Sequence, residues 1–340
     1  MEPLNDHAGT RPPTFGFVLQ SEFPLNALVL ATEALRIANQ NSGHTLFRWT
    51  TASETGEPVR ASNGMWWPVD CPFDSMPQVD YWILIEGNLP TQRNSRKLLR
   101  YLKSLARTPT CIGAVDTGTF AIAQAGLTHR KDVVLHWEAE LTFKERFPDA
   151  VPRDQLYLID ENRIHCAGGV ATLDLMLDLI RRLHSPTLAS EVANALVYTP
   201  RPAATPQRGD KPVTSSITPL CDRIVGLMEG NLDFPLSLEK IAERLSVSVR
   251  TVSRECHRHF HKSPMRLYSA IRLQAARNLL FYDEFSIKDI ATTCGFSYTA
   301  VFSRVFKQHF GESPRVFRKK LRERQSETYR PEIRRLSGNV

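Results

Sequence analysis

The chain predicts two domains of different class: an α/β domain with a mainly parallel sheet and helices on both faces, then an all-α domain. Up to about residue 185, short apolar runs of strand length alternate with segments of helical period. In the last hundred residues, one helix-turn-helix pattern is written twice. Between the two regions, from about Pro200 to Pro219, the prolines of Thr-Pro-Arg-Pro-Ala-Ala-Thr-Pro-Gln-Arg-Gly-Asp-Lys-Pro and the lack of an apolar period mark a linker. At 340 residues the chain is long enough for two separate cores.

In the first region, residues 15–19, 47–51, 81–85, 111–115, 133–136, 156–159 and 163–166 read as strands, and residues 25–39, 95–106, 117–125, 138–147 and 171–184 as helices. Strands that alternate with helices imply parallel pairing, with ligands bound at the carboxyl ends of the strands. The segment Cys111-Ile-Gly-Ala-Val-Asp116-Thr-Gly is the most informative here. A buried strand ends in a polar residue and passes at once into a helix, which is the geometry of a nucleophile elbow.

In the second region, Leu238-Glu-Lys-Ile-Ala-Glu-Arg-Leu-Ser-Val-Ser superposes residue for residue on Ile287-Lys-Asp-Ile-Ala-Thr-Thr-Cys-Gly-Phe-Ser. Beyond these runs the second copy carries one extra residue, after which Ser253-Arg254, Phe260 and Ser263-Pro264 align with Ser303-Arg304, Phe310 and Ser313-Pro314. Each copy opens on a serine placed as an N-cap, Ser237 or Ser286. A turn follows at Ser246 or Gly295, and a second serine, Ser248 or Ser297, is placed to cap a second helix. That helix is apolar on one face (Val252 and Cys256; Phe302 and Phe306) and polar on the other. Between the copies Pro264 opens a long helix with Tyr268, Ile271, Ala275 and Leu279 at helical spacing, a bridge that can hold the two modules at fixed separation. Two recognition helices about 34 Å apart meet successive major grooves on one face of B-DNA.

The residues Ala276-Arg277-Asn-Leu279-Leu280, Ile290-Ala291, Gly295-Phe296-Ser297, Phe302-Ser303-Arg304-Val-Phe306-Lys307, Phe310-Gly311-Glu-Ser313-Pro314 and Phe317-Arg318 carry a resemblance to the DNA-binding domain of the AraC/XylS family of transcription regulators over residues 218–320. The tandem pair with its bridge makes this match specific. The resemblance implies that Arg250, Ser253, Arg254 and His257 face double-stranded DNA from the first module, and Thr299, Ala300, Ser303, Arg304 and Lys307 from the second. Charge agrees: residues 211–340 hold 23 Lys and Arg against 13 Asp and Glu, whereas residues 1–210 hold 20 against 23, so the net +7 of the chain is concentrated where nucleic acid would bind. Residues 321–340 read as a basic, disordered tail.

The first region, over residues 14–185, is similar to the class I glutamine amidotransferase-like domain of the intracellular-protease superfamily, in the version fused to AraC-type regulators. The residues that carry this are Glu33-Ala-Leu-Arg36-Ile-Ala-Asn39, Val115-Asp116-Thr-Gly, His136-Trp137 and Cys166-Ala-Gly-Gly-Val-Ala-Thr-Leu-Asp174. The resemblance implies a flavodoxin-like α/β domain over residues 14–199, followed by the linker over 200–217. Enzymes of that superfamily carry an elbow cysteine, activated by histidine and contacted by an acidic residue of the first helix. Here the elbow is Asp116, which cannot do thiolate chemistry, and Cys111 lies five residues earlier on the strand.

The retained site therefore reads as a sensor pocket rather than a catalytic one. Asp116, Glu33, the Thr117 turn amide and His136-Trp137 are expected to converge on a small-molecule effector, with Asp116 ionised. Two carboxylates beside an aromatic ring suit an amine, a guanidinium or a quaternary ammonium group. The competing reading is a hydrolase with Asp116 as nucleophile and His136 as base. No cofactor is expected. The six cysteines are scattered without a CxxC pair, the i, i+2 spacing of His257, His259 and His261 points their rings apart, and His136-Trp-Glu138 lacks a following P-C-x-x-C, so no metal site is expected. No uninterrupted apolar run approaches the ~20 residues of a membrane helix, and the expectation is a cytoplasmic regulator. RNA polymerase and, by the resemblance, a second copy of the chain are its further expected partners.

Overall fold

The computed structural model describes residues 11–88, 94–160, 162–208, 218–282 and 285–326, which divide into two compact units after Gln207. In the first unit a seven-stranded sheet runs β10-β11-β7-β6-β1-β2-β5. Its strands are β1 (Thr14–Leu19), β2 (Arg48–Ser53), β5 (Cys71–Pro72), β6 (Tyr81–Glu86), β7 (Cys111–Asp116), β10 (Tyr157–Asp160) and β11 (Arg163–Cys166). All pairings are parallel except the β10–β11 hairpin. The central order β2-β1-β6-β7-β11 is the 2-1-3-4-5 order of a flavodoxin-like fold, with its switch point between β1 and β6.

Each central strand is apolar on both faces, and each face builds its own core. Phe15, Phe17, Leu19, Ile83, Ile85 and Val115 point into one, closed by α1 (Leu25–Ser42), α5 (Ala171–Leu183) and α6 (Pro186–Ala195). Val18, Trp82, Leu84, Ile112 and Ala114 point into the other, under α2 (Arg96–Leu105) and α3 (Thr119–Gln124). The remaining elements of this unit are α4 (Glu140–Arg146), the hairpin of β3 (Val59–Arg60) with β4 (Trp66–Trp67), and a parallel pair of β8 (Asp132–Val133) with β9 (Val151–Pro152).

Three expectations are corrected here. The strand expected over 133–136 is confined to Asp132–Val133, outside the main sheet, because the backbone of Leu135 and Trp137 pairs with the Gln207 side chain instead of a strand. The helix α6, unpredicted, follows α5 after a Ser185 cap that accepts from Leu188 N. The linker expected from residue 200 begins later, since residues 200–207 belong to the first unit. Arg201 and Tyr198 close on the buried carboxylate of Asp174, with Arg201 Nη2 at 2.7 Å and Tyr198 Oη at 2.9 Å.

The second unit consists of α7 (Pro219–Glu229), α8 (Leu238–Arg244), α9 (Val249–Phe260), α10 (Pro264–Tyr282), α11 (Ile287–Thr293), α12 (Thr299–Phe310) and α13 (Pro314–Ser326). Ile224, Met228, Ile241, Val252, Cys256 and Tyr268 form the core of its first half. Contacts among Phe296, Phe302, Phe306, Phe310 and Phe317 fill the second. The tail expected from 321 starts as helix, since α13 continues to Ser326; residues 327–340 of that expectation lie outside the described residues.

Burial of Asp174 without its partners is costly, and this yields a stability test. Arg201→Ala leaves the fully buried Asp174 carboxylate without its guanidinium partner and is expected to destabilise the first domain by about 3 kcal/mol. Urea denaturation of the first domain measures this, and a loss below about 1 kcal/mol contradicts it.

Candidate functional site

The elbow stands at the carboxyl edge of the sheet, where β1, β6 and β7 end side by side. Asp116, the last residue of β7, has φ 62°, a left-handed conformation that strains a residue with a side chain. The surroundings hold it there. A Cβ on Gly168, whose own φ is +86°, would lie 2.8 Å from Asp116 Cβ, so the turn after β11 presses directly on the elbow. His136 N donates to Asp116 O at 3.3 Å.

Two acidic residues stand at the ends of the neighbouring strands. Glu86, fully buried, is the register partner of Asp116 at the end of β6. Glu22, buried just beyond β1 with φ 65°, is paired with Arg60 at 3.5 Å. Burial, and after it the charge of Glu138, push the Asp116 pKa up to about 8. Burial lowers that of His136 against the opposing pull of Glu138. These shifts favour a protonated Asp116 and a neutral His136 at neutral pH, and the buried His136 Nδ1 has no hydrogen-bond partner among the described residues. The half-buried Trp137 ring lies 6.0 Å from the His136 ring at 32°.

Of the expected ligand-binding residues, Asp116, Thr117, His136 and Trp137 come together and Glu33 does not. Glu33 is bound by the Arg36 guanidinium through Nε at 2.9 Å and Nη2 at 2.8 Å on the outer side of α1, and this pairing lowers its pKa. It lies eight residues after the start of α1, so the ~1.5 Å rise per residue carries it about 12 Å along the helix axis from that end. The neighbouring Asn39 is structural, its amide pairing with Leu46 N, Phe47 N and Phe47 O. Thr117 is fully buried beside Asp116: its amide donates to Glu86 O at 3.2 Å and also acts on the Asp116 carboxyl, and its hydroxyl donates to Gly87 O. Burial, and after it the Glu138 charge, favour the protonated form of Asp116 at neutral pH over the ionised form expected, against the Thr117 backbone hydrogen bond that favours the carboxylate. These facts weigh against the hydrolase reading, because a carboxyl held mostly protonated at neutral pH is a poor nucleophile. Sequence reasoning missed Glu22 and Glu86. Glu86 had a signal, an acid at the carboxyl end of a buried strand; Glu22 had none.

In the second unit the two recognition helices α9 and α12 are each 12 residues long. Matching them end to end pairs Arg250 with Ala300, Ser253 with Ser303, Arg254 with Arg304 and His257 with Lys307. Arg250, Arg254, His257, Ala300, Arg304 and Lys307 are exposed, and Ser253, Ser303 and Thr299 half-buried, so each helix presents an i, i+4, i+7 stripe to solvent. The extra residue of the second copy is Tyr298. Ser248 caps α9 through Thr251 N at 3.1 Å, but Ser297 does not cap α12 as expected: Tyr298, 73% exposed, takes that position and makes no side-chain cap.

The bridge α10 fastens both modules from one face. Tyr268 Oη donates to Asn231 O at 2.5 Å and accepts from Leu236 N at 3.3 Å in the first module. One turn later, Arg272 donates to Cys294 O and Gly295 O, both at 2.6 Å, and its guanidinium lies 4.0 Å from the centre of the Phe296 ring. Gly295 has φ +71°, and a Cβ there would meet Leu232 O at 2.4 Å, so the modules touch directly at this turn. Ser246 holds the matching conformation in the first module at φ 55°.

An α/β domain with a thiol-free elbow, followed by two bridged recognition helices, defines a DNA-binding transcription regulator. Comparison with known proteins agrees. The helix-turn-helix domain family matches residues 241–320. The chain is 38% identical over 307 residues to the HTH-type transcriptional regulator GbdR of Pseudomonas aeruginosa, covering 89% of this chain and 83% of that protein. It is 34% identical over 302 residues to the regulator CdhR of the same species, covering 88% and 90%. Among solved structures, a ThiJ/PfpI family protein from Pseudomonas syringae matches with a TM-score of 0.50 at 17% identity, over 72% of this chain and 94% of that one. An AraC family regulator from Pseudomonas putida matches with a TM-score of 0.50 at 24% identity, over 54% and 100%. The chain belongs to the AraC family of helix-turn-helix transcriptional regulators, and its first domain has the amidotransferase-like fold.

The Gly295 contact makes a prediction about DNA. Gly295→Ala must displace Leu232 and strain the turn, so affinity for DNA carrying both half-sites is expected to fall at least tenfold, towards that for a single half-site. Arg272→Met is expected to act in the same direction. Fluorescence anisotropy on one-site and two-site duplexes reads the difference; unchanged two-site affinity contradicts it.

Proposed function

We propose that the exposed stripes of α9 and α12 read base edges, and that a small cation bound at the Asp116 elbow controls this reading. Arg254 and Arg304 are the candidates for bidentate contacts to guanine, with Arg250, Ser253, His257, Thr299, Ala300, Ser303 and Lys307 completing the surface. The equivalent placement of Arg254 and Arg304 on two helices of equal length supports this assignment. The protein acts in the cytoplasm, as a homodimer that meets RNA polymerase at its promoters. Among the described residues no helix is long and apolar enough to cross a membrane.

The observation that carries the effector reading is the strained, half-buried carboxyl of Asp116, with Glu86 its register partner and Trp137 and Glu138 close by. An amine, guanidinium or quaternary ammonium group would meet charge from Asp116 and Glu138 and the face of Trp137. Binding would draw the proton from Asp116, turning a half-buried acid into a paired carboxylate.

Two outcomes test this. Arg254→Ala or Arg304→Ala is expected to cost about 1–3 kcal/mol on the selected DNA sequence and to relax preference at only a few base pairs, while affinity falls steeply with salt. Equal loss on all sequences demotes the arginine to a phosphate contact. For the effector, the sign follows from proton displacement: Asp116 is protonated below about pH 8, so cation affinity rises with pH up to that value, by as much as about tenfold per unit, and levels off above it. Calorimetric titration with arginine, polyamines, betaine and carnitine-like compounds at several pH values measures this. Asp116→Asn should weaken binding strongly and abolish the pH dependence, and tight binding of anions alone overturns the assignment.

A further inference from the structure

The segment that leaves the α/β domain is tied to it at successive points. Arg201 and Tyr198 hold the buried Asp174, Ala203 O accepts from Leu156 N at 2.9 Å, and Gln207 N donates to Asp154 Oδ1 at 3.0 Å. At its far end the Gln207 side chain makes a two-point clamp: Nε2 donates to Leu135 O at 2.9 Å, and Oε1 accepts from Trp137 N at 2.9 Å. One primary amide thus satisfies the backbone groups on both sides of His136, as a neighbouring strand would. His136 N in turn donates to Asp116 O. Contacts therefore run without a break from the elbow through His136 to the last tied residue before the DNA-binding domain.

We propose that Gln207 couples occupancy of the elbow to the linker. The inference rests on the elbow being the effector site. A cation seated against Asp116 and Trp137 repositions the 135–137 backbone, so Leu135 O and Trp137 N no longer match the two ends of one amide. The clamp then opens. It is weaker than the Asp174 anchor, being made of two neutral hydrogen bonds on a half-buried side chain, whereas that anchor is buried and charged. With the clamp open, the exposed Gln207 N–Asp154 bond is the last tie beyond Ala203, and its loss to water frees residues 204–207, each adding at most about 3.5 Å of reach to the linker. A longer tether lowers the effective concentration of one domain relative to the other, a change that DNA binding can register without any new contact.

Trypsin cleavage of the full chain after Arg208 reports the clamp, because a protease needs the flanking backbone extended. Gln207→Ala is expected to speed this cleavage about tenfold with no ligand present. Gln207→Glu keeps the acceptor for Trp137 N, loses the donor to Leu135 O, and is expected to fall between. Arginine and tetramethylammonium serve as probes. A probe that binds the wild type by calorimetry should speed its cleavage at Arg208, and should bind Gln207→Ala with similar affinity without changing its rate further. Equal cleavage of wild type and Gln207→Ala overturns the proposal, as does a probe that accelerates both alike. If neither probe binds the wild type, the cation reading loses its support, and the ligand-free comparison of the three chains alone decides whether the clamp exists.

Discussion

Asp116 is held in a left-handed turn between a buried strand and a helix, and much of the first domain is arranged to hold it there. The strain at such a residue, of order 1–3 kcal/mol, persists only where neighbouring structure over-determines the turn. Here the register of β6 sets Glu86 against Asp116, the Thr117 amide and hydroxyl are tied to the end of β6, and the Gly168 turn closes from the β11 side. The same constraint presents a carboxyl at the position where a nucleophile elbow presents its reactive side chain. Burial then changes its chemistry: a group that is a nucleophile or a counter-ion in water becomes a neutral acid, ready to ionise when a cation arrives.

The second domain solves a different problem, the placement of two short helices relative to each other. Each module has too small a core to fix its partner by burial alone. The bridge does so with polar contacts of defined direction, Tyr268 reaching the loop before α8 and Arg272 the turn after α11. They are four residues apart, so one helix face carries both fasteners. The duplication is close but not strict. The residue added in the second copy falls at the start of α12 and leaves both recognition helices equal in length, which keeps their outward stripes equivalent.

The relation between the domains runs through a short stretch of chain. Prolines and polar residues identified residues 200–217 as a linker, yet residues 200–207 are tied down by Asp174, Leu156, Asp154 and the backbone around His136. Composition signals lack of a core of one's own. It is silent on whether a neighbouring domain offers hydrogen-bond partners.

The sequence by itself determined the α/β order, the elbow, the repeated helix-turn-helix and its serine caps at Ser237, Ser248 and Ser286, because each rests on periodicity or on contacts within a few residues. Tertiary structure decided the rest. Glu33 was chosen for its place on the first helix, but Arg36 is its partner there, and Glu22 and Glu86 reach the strand ends instead. Ser297 has the right residue type for a cap, but the helix starts one residue later. Asp116 has the composition of an anion, and only its burial beside Glu138 makes it an acid. Gln207 gave no local signal at all, since its partners Leu135 and Trp137 lie about seventy residues away. Protonation, clamping and the choice among carboxylates depend on what long-range packing brings together, and no local pattern carries that information.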